Sequence, residues 1–175
     1  MEILPDFPSF EATFEKGKPQ VVWITLLSDF ETPVSAMMKL SHGNKNAFLL
    51  ESVEGGANRG RYSFIGLEPD LIWRASGTQA EINTQALRKP NAFKTCSTGV
   101  IESLRSVIKD TVIDLPDGLP PMAAGLVGYM SYDMVRLFEK IPDNNPDVLK
   151  VPDGIFVRPT VVAVFDNIKN TIKVI

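Results

Sequence analysis

Residues 46–76 read NAFLLESVEGGANRGRYSFIGLEPDLIWRAS, and the fold class turns on them. Three runs, Asn46–Ser52, Arg61–Leu67 and Asp70–Ser76, carry the β-branched, aromatic and apolar residues of strands. Turn chemistry separates them: a glycine-rich stretch first, then Glu68-Pro69. A weaker run, AEIN (Ala80–Asn83), follows. Together they predict an antiparallel meander.

The stretch also comes close to a phosphate loop, with Gly55, four residues, Gly60 and a basic residue next. The chemistry does not follow through. A P-loop needs lysine and then a hydroxyl after its last glycine, because the ammonium reaches the phosphates and the hydroxyl holds magnesium. Here Arg61 and Tyr62 occupy those places. The loop must also open a helix so that amides and dipole face the anion, whereas Arg61–Leu67 alternates like a strand. The glycines are read as a turn.

Outward from this centre, Ser9–Lys16 spaces Phe10 and Phe14 four apart among glutamates, predicting a short amphipathic helix ended by Gly17. Val21–Ser28 (VVWITLLS) reads as a buried strand. Thr32-Pro33 is a helix start, a hydroxyl cap before a residue that needs no amide hydrogen. Val34, Met37 and Met38 then share a face for core packing, and Gly43 closes the segment. Lys89–Thr98 is a polar loop. Gly99–Asp110 sets Val100, Leu104, Val107 and Ile108 at helical spacing. After the linker LPDGLPPM, residues 123–139 read as an apolar strand turning into a short helix near Asp133. Gly125 and Gly128 within that strand require close backbone approach or a bulge. On residue chemistry GLVGYMSYDMVR (Gly125–Arg136) is a contact surface rather than a catalytic one. The Pro/Asp-rich residues 141–154 form a loop, and residues 160–175 a hairpin turning at Asp166–Asn170.

The 175 residues are 44% hydrophobic and 22% charged, an ordinary globular balance. A formal charge of −3 offers no general attraction to nucleic acid or an anionic membrane, and no run approaches bilayer-spanning length. One cysteine, Cys96, and one histidine, His42, cannot build a zinc site or a Cys-His-Asn triad within one chain. His42, beside Gly43, is expected at a helix end, and Glu54 in solvent. An acidic, proline-broken N-terminus is unlike a targeting peptide, which gives a cytoplasmic expectation. The last strand stops at Ile175 without a cap, which suggests that the natural protein continues.

Glu51 and Ser52 stand where an apolar strand reaches the surface. A carboxylate there receives an ammonium, and a hydroxyl bonds a carboxylate or amine. If the strands pair as a hairpin, Arg61 lies near the same rim. That grouping suits an amino-acid zwitterion; the alternative is an Arg–Glu pair bridging the hairpin.

LLESVEGGANRGRYSFIG, with TPVSAMMKL before it and GLVGYMSYDMVR after it, resembles the N-terminal domain of the anthranilate synthase component I family, among the chorismate-utilising enzymes. The resemblance runs from PSFEATF to the final hairpin. It implies a fold of α+β class, mostly antiparallel β-sheets packed as a sandwich with a few short helices. Residues 1–175 would form a single N-terminal domain, regulatory and structural. The family's enzyme is a lyase that converts chorismate to anthranilate and pyruvate in tryptophan biosynthesis. It uses Mg2+ and ammonia drawn from glutamine by a partner glutamine amidotransferase, component II. By this resemblance the chorismate and Mg2+ residues belong to a C-terminal catalytic domain outside these residues. The chain alone is therefore expected to be inactive and to hold no cofactor. The resemblance also implies a feedback site for tryptophan lined by the LLES motif, here Leu49, Leu50, Glu51 and Ser52; Arg61 is added on hairpin geometry. Alternatives are aminodeoxychorismate synthase component I, which serves folate synthesis, and a free-standing amino-acid-sensing module.

Overall fold

The computed structural model describes residues 2–41, 43, 45–53 and 59–175. His42, Glu54 and the glycine pair Gly55-Gly56 lie outside the described residues, so the expectations placed on them do too. In chain order the first elements are β1 (Ile3–Leu4), α1 (Phe7–Phe14), β2 (Trp23–Leu27), α2 (Pro33–Leu40), β3 (Phe48–Val53) and β4 (Arg59–Leu67). Then come β5 (Leu71–Ser76), β6 (Gln79–Asn83), β7 (Lys94–Thr95), α3 (Val100–Thr111) and β8 (Val127–Met130). A 3-10 segment, Tyr132–Leu137, precedes β9 (Gly154–Arg158), β10 (Val161–Asp166) and β11 (Thr171–Val174).

These elements form two compact units. The first, Met1–Pro69 with Ile113–Gly125 and Pro159–Ile175, holds a six-stranded sheet in the order β1-β2-β11-β10-β4-β3. The second, Asp70–Val112 with Leu126–Arg158, holds five strands in the order β7-β6-β5-β9-β8. Every pairing in both sheets is antiparallel. The chain is therefore α+β, with antiparallel sheets and a few short helices, as expected.

The meander is a correction. β3 pairs with β4 and β5 with β6, but β4 does not pair with β5. At Glu68 the backbone turns left-handed, with φ 51°, and Pro69 has no amide hydrogen to continue a ladder. β4 takes β10 as its second neighbour and β5 takes β9. Those partners come some ninety residues later in the chain, beyond the reach of any local pattern.

In the first unit α2 begins as its sequence dictates. Thr32 Oγ1 accepts from Ser35 N at 3.1 Å, and Ser35 Oγ accepts from Thr32 N at 2.9 Å. The packed face differs from the expectation. Ala36 and Met37 meet Ile65, Leu67, Ala163, Phe165 and Ile172, while Val34 and Met38 are exposed. An eight-residue helix turns only a narrow stripe inward, and Ala36-Met37 occupy it. β2 is likewise less buried than its composition suggests. Trp23 is buried but Leu27 is exposed, because only the two residues of β1 flank that strand outward. α1 forms two residues earlier than the expected Ser9–Lys16, capped by Asp6 and burying no residue, with Phe10 and Phe14 stacked 6.1 Å apart and Phe14 exposed.

In the second unit α3 lays Val100, Leu104 and Val107 on Leu71, Trp73, Ala75 and Ala80. Ile108 falls off that stripe and is half-exposed. The fully buried Trp73 donates from Nε1 to Ser103 Oγ at 3.0 Å, and that hydroxyl donates to Val100 O at 2.8 Å. A Cβ at Gly128 would collide with the backbone of Ile155 and Phe156. The close approach expected of that glycine is thus real.

Candidate functional site

β3 is an edge strand: β4 occupies one side, and among the described residues no strand pairs its other side. The register sets Leu49 against Ile65, Leu50 against Phe64 and Glu51 against Ser63. Side chains of an extended strand alternate between faces. Leu49 therefore joins Ile65 on the face packed against α2, and Glu51 shares that side. Leu50 and Ser52 take the other. The four LLES residues thus do not form one wall. Leu49 is half-buried; Leu50, Glu51 and Ser52 are exposed.

The pairing is irregular between Glu51 and Val53, which brings Ser52 down onto the buried Gly60. A Cβ at residue 60 would overlap Ser52 Oγ and Cβ and stand 2.8 Å from Ser52 O. Glycine is what lets Ser52 sit there. β4 runs through this point as a strand, so the phosphate-loop reading stays rejected. Among the described residues no side chain pairs with the Glu51 carboxylate or the Ser52 hydroxyl.

Arg61 goes elsewhere. Its Nη2 donates to Asp166 Oδ2 at 3.1 Å, and its guanidinium lies 4.7 Å from the centre of the Tyr62 ring. The Arg–Glu hairpin bridge is corrected by this contact: Arg61 pairs across β4–β10, not β3–β4. Asp166 Oδ1 also accepts from Ile168 N at 3.0 Å and Lys169 N at 3.1 Å. Burial pushes the Asp166 carboxyl up, but the Arg61 hydrogen bond and the two amides outweigh it and hold it below its ordinary value. The same contact raises the Arg61 guanidinium. Asn167 completes the group. Its N donates to Arg61 O at 2.8 Å, and its Nδ2 donates to Gly60 O at 2.8 Å.

Sequence reasoning missed Asp166 and Asn167 as members of this neighbourhood. Their only signal was the Asp-Asn start of a hairpin turn, which reads as turn chemistry and nothing more.

In the second unit a cavity of about 680 Å³ is lined by Ser131, Asp133, Arg136, Asp143, Asp147 and Asp153, among others. Arg136 donates to Asp133 Oδ1 at 3.1 Å and to the carbonyls of Ile141 and Pro142 at 2.9 Å each, and pairs with Asp143 at 3.3 Å. Its guanidinium is committed to holding the loop that follows, so this cavity is a weaker candidate than the β3 edge. No group of three or more His, Cys, Asp or Glu among the described residues stands together to hold a metal ion. Among the same residues no helix is long and apolar enough to cross a membrane.

The fold is thus an α+β scaffold of antiparallel sheets, and the edge of β3 exposes a carboxylate and a hydroxyl that no side chain among the described residues pairs. The comparisons narrow this. No protein-family model matches, but curated relatives do. Anthranilate synthase component 1 of Cereibacter sphaeroides is 45% identical over 172 residues, 98% of this chain and 34% of that protein. That of Synechocystis is 34% identical over 97% of this chain and 33% of its own length. That of Thermus thermophilus is 37% identical over 86% and 30%. Among solved structures, anthranilate synthase component I of Streptococcus pneumoniae superposes with a TM-score of 0.53 at 22% identity, over 84% of this chain and 30% of that one. At that identity the likeness concerns the fold. The chain is homologous to part of anthranilate synthase component 1, as its motifs indicated, and spans about a third of the curated relatives it matches.

Proposed function

We propose that this chain is the N-terminal regulatory part of an anthranilate synthase component I. In this reading the whole protein, a cytoplasmic lyase, turns chorismate and ammonia into anthranilate and pyruvate for tryptophan biosynthesis. A glutamine amidotransferase subunit supplies the ammonia. Mg2+ belongs to the catalytic domain that makes up the rest of such a protein. The described residues of this chain offer no donor set for it, and no step of the chemistry is assigned to them.

The contribution of this chain is to inhibition. Glu51 meets the α-ammonium of tryptophan and Ser52 bonds its polar end, while Leu50, half-exposed on the face of Ser52, borders the indole. Leu49 supports the strand from the packed side. Arg61, held by Asp166, is a scaffold residue rather than a ligand residue. The observation that carries this reading is the edge of β3, where Glu51 and Ser52 are consecutive and exposed, one on each face, and no side chain among the described residues pairs with either. Tryptophan inhibition of anthranilate formation by the full-length protein tests it. Ser52→Ala should raise the half-inhibiting concentration about tenfold, the worth of a hydrogen bond to a charged ligand. An equal loss of turnover with unchanged inhibition would assign Ser52 a structural role instead.

A further inference from the structure

We infer that Asn167, on the β10–β11 turn, is a positioning residue for the β3 ligand edge. The inference rests on the tryptophan-site reading above and adds to it a residue far away in sequence.

The β4–β10 ladder ends where Tyr62 faces Asp166. Gly60 and Arg61 lie past that end, and an unpartnered backbone carbonyl at such a point is costly when it is shielded from water. Asn167 extends the pairing with two further bonds, N to Arg61 O and Nδ2 to Gly60 O, both 2.8 Å. The second is made by a side chain and so depends on the identity of residue 167. Its acceptor is the glycine onto which Ser52 packs without room for a single added carbon.

The chain of contacts is therefore short and directional. The turn fixes Asn167, Asn167 fixes the backbone at Gly60, and Gly60 fixes the height of Ser52 on the strand edge. Asp166 braces the same turn, since its carboxylate takes the amides of Ile168 and Lys169 together with the Arg61 guanidinium. A site that discriminates by hydrogen bonds needs its donors and acceptors held within a fraction of an ångström, and β3, paired on one side only, cannot supply that rigidity alone.

The test is tryptophan inhibition of the full-length protein carrying Asn167→Asp, Gly60→Ala or Ser52→Ala, with the unfolding temperature of each read with and without tryptophan. Asn167→Asp keeps the size of the side chain and the backbone bond to Arg61 but removes the Nδ2 donor. It should raise the half-inhibiting tryptophan concentration about tenfold, one lost hydrogen bond's worth, and shrink the tryptophan-induced rise in unfolding temperature. Gly60→Ala, which displaces Ser52 with its hydroxyl intact, should do the same. If Asn167→Asp is inhibited like the parent while Ser52→Ala is relieved, the positioning role is wrong and the tryptophan site stands. Should Ser52→Ala itself be inhibited like the parent, the site reading fails and the positioning role with it. A fall in kcat in Asn167→Asp matching the change in inhibition would mark general loss of structure and also overturn the inference.

Discussion

Among the described residues of the first unit Asp166 takes more hydrogen bonds than any other carboxylate, and its chemistry yields a pH dependence. Its carboxylate takes one guanidinium and two amide donors, so the folded state holds it below its ordinary value of 3.8. A depressed carboxyl stabilises the fold fully above the unfolded value and loses that contribution as pH falls through the lower folded one. Asp166→Asn should therefore be less stable than the parent near neutral pH, and the gap should narrow as pH falls below about 4. Urea unfolding midpoints of both chains across the acid range measure it; a gap constant with pH would mean that the charge is not what Asp166 contributes. At this scale the sequence was partly readable. Glu51 and Ser52 stood out because a hydrophobic run ends on them. The partner of Arg61 did not, because Asp166 lies 105 residues away along the chain and only the β4–β10 pairing brings the two together.

Among the elements, α2 depends most openly on local chemistry. Thr32 and Ser35 satisfy each other's backbone amides, a reciprocal cap at the start of a helix only eight residues long. So short a helix is not stable by propensity; it persists through its cap and through Ala36 and Met37 on the sheet. Thr32→Ala should cost about 1 kcal/mol, read as a shift of the denaturant midpoint without change in slope. No shift would mean that packing alone holds α2. The start of this helix was legible because capping is a matter of four adjacent residues. Its buried face was not: Val34, Met37 and Met38 share a helical side in the sequence, yet the orientation is set by which residues reach Ile65 and Phe165. The supposed meander failed for the same reason. Strand identity is local, but the choice of β10 over β5 as the neighbour of β4 is made by the far end of the chain.

For the whole molecule the decisive quantity is how much of a ligand these 175 residues can enclose. Small-molecule sites bury most of their ligand in a concavity walled largely by apolar groups. At the β3 edge Leu50, Glu51 and Ser52 are all exposed, and Leu49, which has more cover, points into the packing against α2. Such an edge can supply polar contacts to an ammonium and a carboxylate, but in open water these exchange against solvent at little gain. The indole of tryptophan, whose burial would provide most of the affinity, finds no enclosing wall among the described side chains of this strand. The relatives that share this sequence are about three times as long, which is where the proposal places the missing walls. Isothermal titration of tryptophan into the 175-residue chain should therefore give no saturable heat in the micromolar range, while the full-length protein should bind. A submicromolar dissociation constant for the isolated chain would overturn the shared site, because it would require that these residues close around the indole by themselves.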